Sequence, residues 1–172
     1  MILSLLQIAA VALVAFFLGY CRASQRRRNS ASWESLTARL QSGWSARGLS
    51  EHFLWKEGLS STPEETWEHI KGSQGLWAIY RNAGVMQEMA NFAARNSDSV
   101  DHVLLQTLRS DAAQIRICVL TTLAQCAFNQ ASESVRLNAF RAASMYTGMA
   151  ARMTQLIQDN AAMALPDFVA AM

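Results

Sequence analysis

SESVRLNAFRAASMYTGMAARMTQLIQD, residues 132–159, carries apolar or small side chains at Val135, Ala139, Ala142, Tyr146, Met149, Met153 and Leu156. A return every three or four residues keeps all seven on one helix face, whereas a strand, whose side chains alternate, would scatter them. Ser132 followed by Glu133 has the chemistry of a helix start. The stretch therefore predicts the longest soluble helix of the chain, and Ser144 and Gly148 leave a flat patch on it where another backbone can approach closely.

Working toward the N-terminus, Ile115 to Phe128 is apolar on nearly every side, with Ile115, Ile117, Val119, Leu120 and Leu123. A helix apolar all round predicts the central, most buried element, with Arg116 snorkelling to its edge. Ser110-Asp111 reads as the start of that helix. Before it, Val100, Val103, Leu104 and Leu108 share a face after the turn at Asn96–Ser99. Leu76, Ile79, Tyr80, Ala83, Met86, Ala90 and Ala93 draw another stripe between Gly75 and Asn96, with Gly84 as a point where it can bend. Upstream, Thr62-Pro63-Glu64-Glu65 has the form of a capping box with proline in the first turn, and Gly72 supplies a stop.

Trp33, Leu36 and Leu40 predict a short amphipathic helix ending by Gly43, and Gly48 and Gly58 break up the mixed segment that follows. The tail around Leu165, Phe168 and Val169 either docks on the core or contacts a neighbour. Neither an alternating β-branched run nor an internal repeat occurs, so residues 33–172 read as one all-α domain of about five or six helices.

The first twenty residues, MILSLLQIAAVALVAFFLGY, have a different character. From Ile2 to Tyr20 no side chain is charged, and a helix of that length covers roughly 28 Å, close to a bilayer's hydrocarbon core. Arg22, Arg26, Arg27 and Arg28 follow it and none precedes it, which keeps the body on the cytoplasmic side, in the manner of a bacterial inner-membrane protein. The expected organisation is a single-pass anchor at 1–21, a basic juxtamembrane linker at 22–32 and the helical domain after it. The competing reading is a cleaved signal peptide cut before Ser24, and a lipoprotein box at Leu18–Cys21 is a weaker one. Charge placed after rather than before the apolar run argues against the first, and bulky Tyr20 against the second. Cys21 is either acylated or a plain interfacial thiol. Ala15 and Gly19 form a small-xxx-small pair that permits close packing against another membrane helix.

The chain is formally +2, with fifteen basic and thirteen acidic residues. Four of the fifteen are the arginines at 22–28, so the body holds eleven against thirteen, a net −2. That balance leaves no basic face for nucleic acid and assigns the arginine cluster to orientation and to anionic lipid headgroups. Three cysteines, Cys21, Cys118 and Cys126, make no disulfide framework, and the latter two read as small core hydrophobes. Trp33 is expected at the membrane interface with the arginines, and Trp44 and Phe168, like Ala15 and Gly19, are candidate partner contacts.

Chemistry-bearing clusters are sparse. Glu65 and His69 share a helix face with Glu68 close by, which makes a membrane-tethered enzyme or metal protein the rival reading. The repeated Glu-x-x-His of di-iron bundles and the His-Glu-x-x-His of zinc proteases are both missing, and first-turn carboxylates are what the helix dipole favours. Met145, Met149 and Met153 fall at spacings of four. Core packing is the simplest account of them, a plastic partner-binding groove or a haem ligand comes second, and an apolar-ligand pocket lined by Tyr146, Met149 and Met153 is the third functional reading. The leading expectation is a non-enzymatic, cofactor-free accessory or scaffolding subunit. Its partners would be membrane lipid and either a membrane protein or further copies of itself.

Overall fold

The computed structural model describes residues 32–40, 62–97, 100–128 and 132–159. Five helices account for most of them: α1 (Trp33–Thr37), α2 (Pro63–His69), α3 (Ser73–Asn96), α4 (His102–Phe128) and α5 (Glu133–Gln158). The described residues contain no strand, and the expected all-α class holds. None of these helices is long and apolar enough to cross a membrane. The expected anchor at 1–21 lies outside the described residues, as do Cys21 and Arg22, Arg26, Arg27 and Arg28.

Residues 62–72 show how local chemistry sets one helix. Thr62 Oγ1 accepts from the Glu65 N–H at 3.2 Å, and Glu65 Oε2 accepts from the Thr62 N–H at 3.2 Å, completing the predicted capping box. The end is sharper than a simple glycine stop. The Gly72 N–H reaches the Trp67 carbonyl and the Lys71 N–H the Glu68 carbonyl, the paired bonds of a Schellman motif. Lys71 therefore takes the left-handed conformation (φ 55°), and Gly72 (φ 61°, ψ −129°) doubles as the N-cap of α3.

α3, α4 and α5 form the body of the fold, each packing on the other two, with α2 against α5 and α1 against α3. Their buried faces follow heptad-like spacings: Leu76, Ile79, Ala83, Met86, Ala90 and Ala93 on α3, and Val135, Ala139, Ala142, Tyr146, Met149, Met153 and Leu156 on α5. Alternating steps of three and four suit nearly aligned helices that interdigitate along a shallow crossing. At the centre, Asn82 of α3 donates through Nδ2 to Tyr146 Oη of α5 at 3.1 Å.

Three expectations need correction. α4 packs on both α3 and α5 but is not the most buried helix: α3 and α5 are buried on broader faces, while α4 buries only Leu105, Leu108, Ala112, Ile115, Val119, Thr122 and Cys126. A helix apolar all round had two faces to bury, and α3 and α5 cover one. Nor does a helix start at Ser110-Asp111, because α4 runs unbroken from His102 to Phe128 and, at 27 residues, just exceeds the 26 of α5. The start lies at Asp101, whose Oδ1 accepts from the Val103 N–H at 2.8 Å, while Asp111 is engaged sideways by Arg152. Finally, the flat patch at Gly148 is occupied. A Cβ there would sit 3.7 Å from the Arg152 guanidinium, which lies over it on the way to Asp111.

Candidate interaction surface

The geometry of α4 poses the functional question. Its inner seam runs Leu105, Leu108, Ala112, Ile115, Val119, Thr122, Cys126. On the opposite side a second seam with the same alternation of four and three, Ala113, Ile117, Leu120, Ala124 and Ala127, is exposed along its length. Ile117 is 66% exposed and Phe128, at the end of the helix, 92%. Isolated exposed hydrophobes are ordinary, whereas a continuous row on one ridge is the candidate for a binding surface. Between Asp111 and Glu133 the sole charged residue is Arg116, so nothing on the ridge itself opposes apolar contact.

The flanks extend the patch. Arg109 of α4 donates to Asn91 Oδ1, and Arg116 donates through Nη2 to Tyr80 Oη at 2.7 Å, so α3 runs antiparallel to α4. Continued by one turn, that register sets exposed Trp77 at the level of Leu120. On the other side, Asp111–Arg152 and Gln125–Asn138 make α5 antiparallel too, which sets exposed Leu137 at the level of Ala127 along the helix axis.

Trp77, Tyr80, Arg81 and Arg116 form one stacked ladder. The Trp77 and Tyr80 rings lie 5.1 Å apart and 6° from parallel. Arg116 Cζ sits 4.5 Å over the Tyr80 ring and Arg81 Cζ 5.6 Å over that of Trp77. Each cation is held by an aromatic face, which fixes the guanidinium without neutralising it. Arg116 accordingly does not simply snorkel into solvent. Its stem is half-buried, its Nε is buried without a hydrogen bond, and its head is parked on Tyr80.

The other residues singled out from sequence fall elsewhere. Trp33, expected at the membrane interface, is buried instead, with its ring 6.0 Å from that of Phe92. Leu36 and Leu40 are buried beside it in the chain, so α1 turns its apolar stripe, tryptophan included, into the domain. Ala15, Gly19, Trp44 and Phe168 lie outside the described residues. Glu65 serves the capping box, Glu64 pairs with Arg136 at 3.3 Å, and Glu68 and His69 are exposed. Among the described residues no three His, Cys, Asp or Glu side chains converge as metal ligands would.

Tyr146, Met149 and Met153, the proposed pocket lining, are wholly buried core residues. Burial pushes the Tyr146 phenol up to about 12, with the Asn82 hydrogen bond partly opposing it. Burial likewise raises the Cys118 thiol, against smaller opposing effects of Thr122 and Arg141, and raises that of Cys126. Both cysteines are therefore protonated at neutral pH, which suits packing and not nucleophilic attack.

Ile117, Leu120, Phe128, Trp77 and Arg81 did not emerge as site residues from the sequence. The signal was present: α4 carries two heptad seams on opposite sides, and only one can face the two neighbouring helices. Compared with family models, with curated proteins and with solved structures, the chain finds no match.

Proposed function

We propose that this chain is a non-catalytic, membrane-anchored interaction protein, an accessory or scaffolding subunit that holds a helical docking surface at the cytoplasmic face of a membrane. The observation that carries the reading is the uncharged outer seam of α4, Ala113, Ile117, Leu120, Ala124 and Ala127, ending at nearly fully exposed Phe128. A monomer gains nothing from leaving such a row in water, whereas burial of each large apolar side chain contributes about 1.5–3 kcal/mol.

The anchor rests on the uncharged run from Ile2 to Tyr20, and the orientation on Arg22, Arg26, Arg27 and Arg28 after it. Tethering restricts the helical body to one membrane face and raises its effective concentration toward a partner in the same membrane. Extraction of the full chain in mild detergent, followed by native-size analysis, tests this. The expected species is larger than one chain in its micelle and contains a second protein, and Ile117→Asp releases that protein. A lone monomer overturns the reading. Recovery of the chain in the soluble fraction without detergent overturns the anchor.

A further inference from the structure

The outer seam of α4 is bordered by positive charge that no acid among the described residues pairs with. Arg81 and Arg116 stand on the α3 side with Arg109 further along, and Arg141 is exposed on α5, level with Thr122 in the register that Gln125–Asn138 and Asp111–Arg152 set. Among the described residues, ion pairs join Arg39 to Glu88, Arg136 to Glu64 and Arg152 to Asp111, and none involves these four. Arg39, Arg136 and Arg152, away from the seam, are thus matched to carboxylates, while the four around it are paired with neutral partners, Asn91, Tyr80 and Trp77, or, for Arg141, with no carboxylate among the described residues.

We infer that the outer face of α4 seats an amphipathic helix of a partner protein whose apolar seam is flanked by carboxylates. This deepens the interaction reading above and rests on it. Three observations define the occupant. Alternating steps of four and three along Ala113, Ile117, Leu120, Ala124 and Ala127 are the register a second helix needs for knobs-into-holes contact. Three of those five side chains are alanine, which leaves holes for a partner's larger residues yet adds little to insertion into lipid. The four arginines fall at the borders of the seam, where flanking residues of a facing helix would lie, and the aromatic ladder holds two of them in place before binding.

A second copy of this chain is a poor occupant. Two-fold pairing through antiparallel α4 helices sets α3 against α3 and α5 against α5, which brings Arg81, Arg116 and Arg141 toward their own counterparts.

The test uses the full chain in detergent micelles and two labelled synthetic helices of roughly three heptads. Both carry Leu and Ala in the seam; one has Glu and the other Lys at the flanking positions, and binding is read by fluorescence anisotropy. The expected result is preference for the Glu helix by roughly tenfold or more, weakening as salt is raised. Leu120→Asp is expected to abolish binding of both helices with the far-ultraviolet circular dichroism unchanged, since Leu120 is exposed. Arg81→Glu combined with Arg116→Glu reverses the preference. Arg141→Glu weakens it without touching the Tyr80 contact.

Equal affinity for the two helices, or no binding of either, overturns the inference. So does flotation of the anchor-truncated chain with phosphatidylglycerol–phosphatidylcholine vesicles that Leu120→Asp removes while peptide binding persists; that result assigns the face to lipid. Loss of the charge preference in a chain that still co-purifies with a partner defeats the occupant assigned here and leaves the broader reading standing.

Discussion

Asn82 and Tyr146 meet in the centre of the three-helix body, amide Nδ2 to phenol Oη at 3.1 Å, and both side chains are buried. The bond joins α3 to α5 at one register, because sliding either helix by a turn would take a buried polar group off its partner. Tyr146→Phe keeps the ring and removes the bond, and is expected to cost about 1–2 kcal/mol in urea denaturation.

The same tyrosine sets an alkaline limit. Its folded pKa lies near 12, above the ordinary value of 10.0, so the stability it contributes is complete below pH 10 and is lost as pH rises toward 12. In this window the unfolded state releases the proton first, and the loss is on the order of 2–3 kcal/mol. Denaturation midpoints followed between pH 9 and 12 should fall more steeply for the wild type than for Tyr146→Phe. Parallel curves would show that Tyr146 is not the group responsible.

Gly72, the N-cap of α3, and Gly84 inside the helix should respond in opposite directions. Gly72 has φ 61° and ψ −129°, and a Cβ there would meet the Trp67 ring at 3.0 Å, so Gly72→Ala is expected to destabilise by about 1–3 kcal/mol. Gly84 lies inside the helix with nothing within 4 Å of the added carbon, so Gly84→Ala should stabilise by about 0.5–1 kcal/mol. Thermal melts of the two variants side by side give the sign directly.

The two seams of α4 differ in what they do for folding. Ile115→Ala removes a fully buried side chain and should cost about 2–5 kcal/mol, whereas Ile117→Ala, two residues on and mostly exposed, should change stability by no more than about 0.5 kcal/mol. Equal losses at both positions in the isolated chain would mean that the outer seam is already covered.

At the start of α2, Thr62→Ala should cost about 1 kcal/mol. Glu65→Gln, which can still accept from the Thr62 N–H, should cost less than Glu65→Ala. Differential scanning calorimetry separates the three.

Much of the fold can be read locally. The capping box at Thr62–Glu65, the start at Ser132–Glu133 and the stripes of α3 and α5 all hold in the structure, because propensity, capping and periodicity belong to a few neighbouring residues. The apolar-all-round character of Ile115–Phe128 is equally visible, but its meaning is not. Periodicity counts the faces that would gain from burial, and only the positions of α3 and α5 decide which face is served. The same holds for Trp33, an aromatic suited to headgroups until α1 folds onto α3, and for Asp111, which resembles a cap until Arg152 engages it.

The helical class, the helix starts at Thr62 and Ser132, the stripes of α3 and α5 and the uncharged N-terminal run with its arginines are legible in the sequence, all properties of adjacent residues. Only the packing of the helices sets which seam of α4 is buried, turns Ile117 and Leu120 outward, and stacks Arg81 and Arg116 on aromatic rings with no carboxylate paired to them among the described residues. The reason is that burial and ion pairing are relations between helices, and no periodicity within one helix specifies which neighbour it will meet.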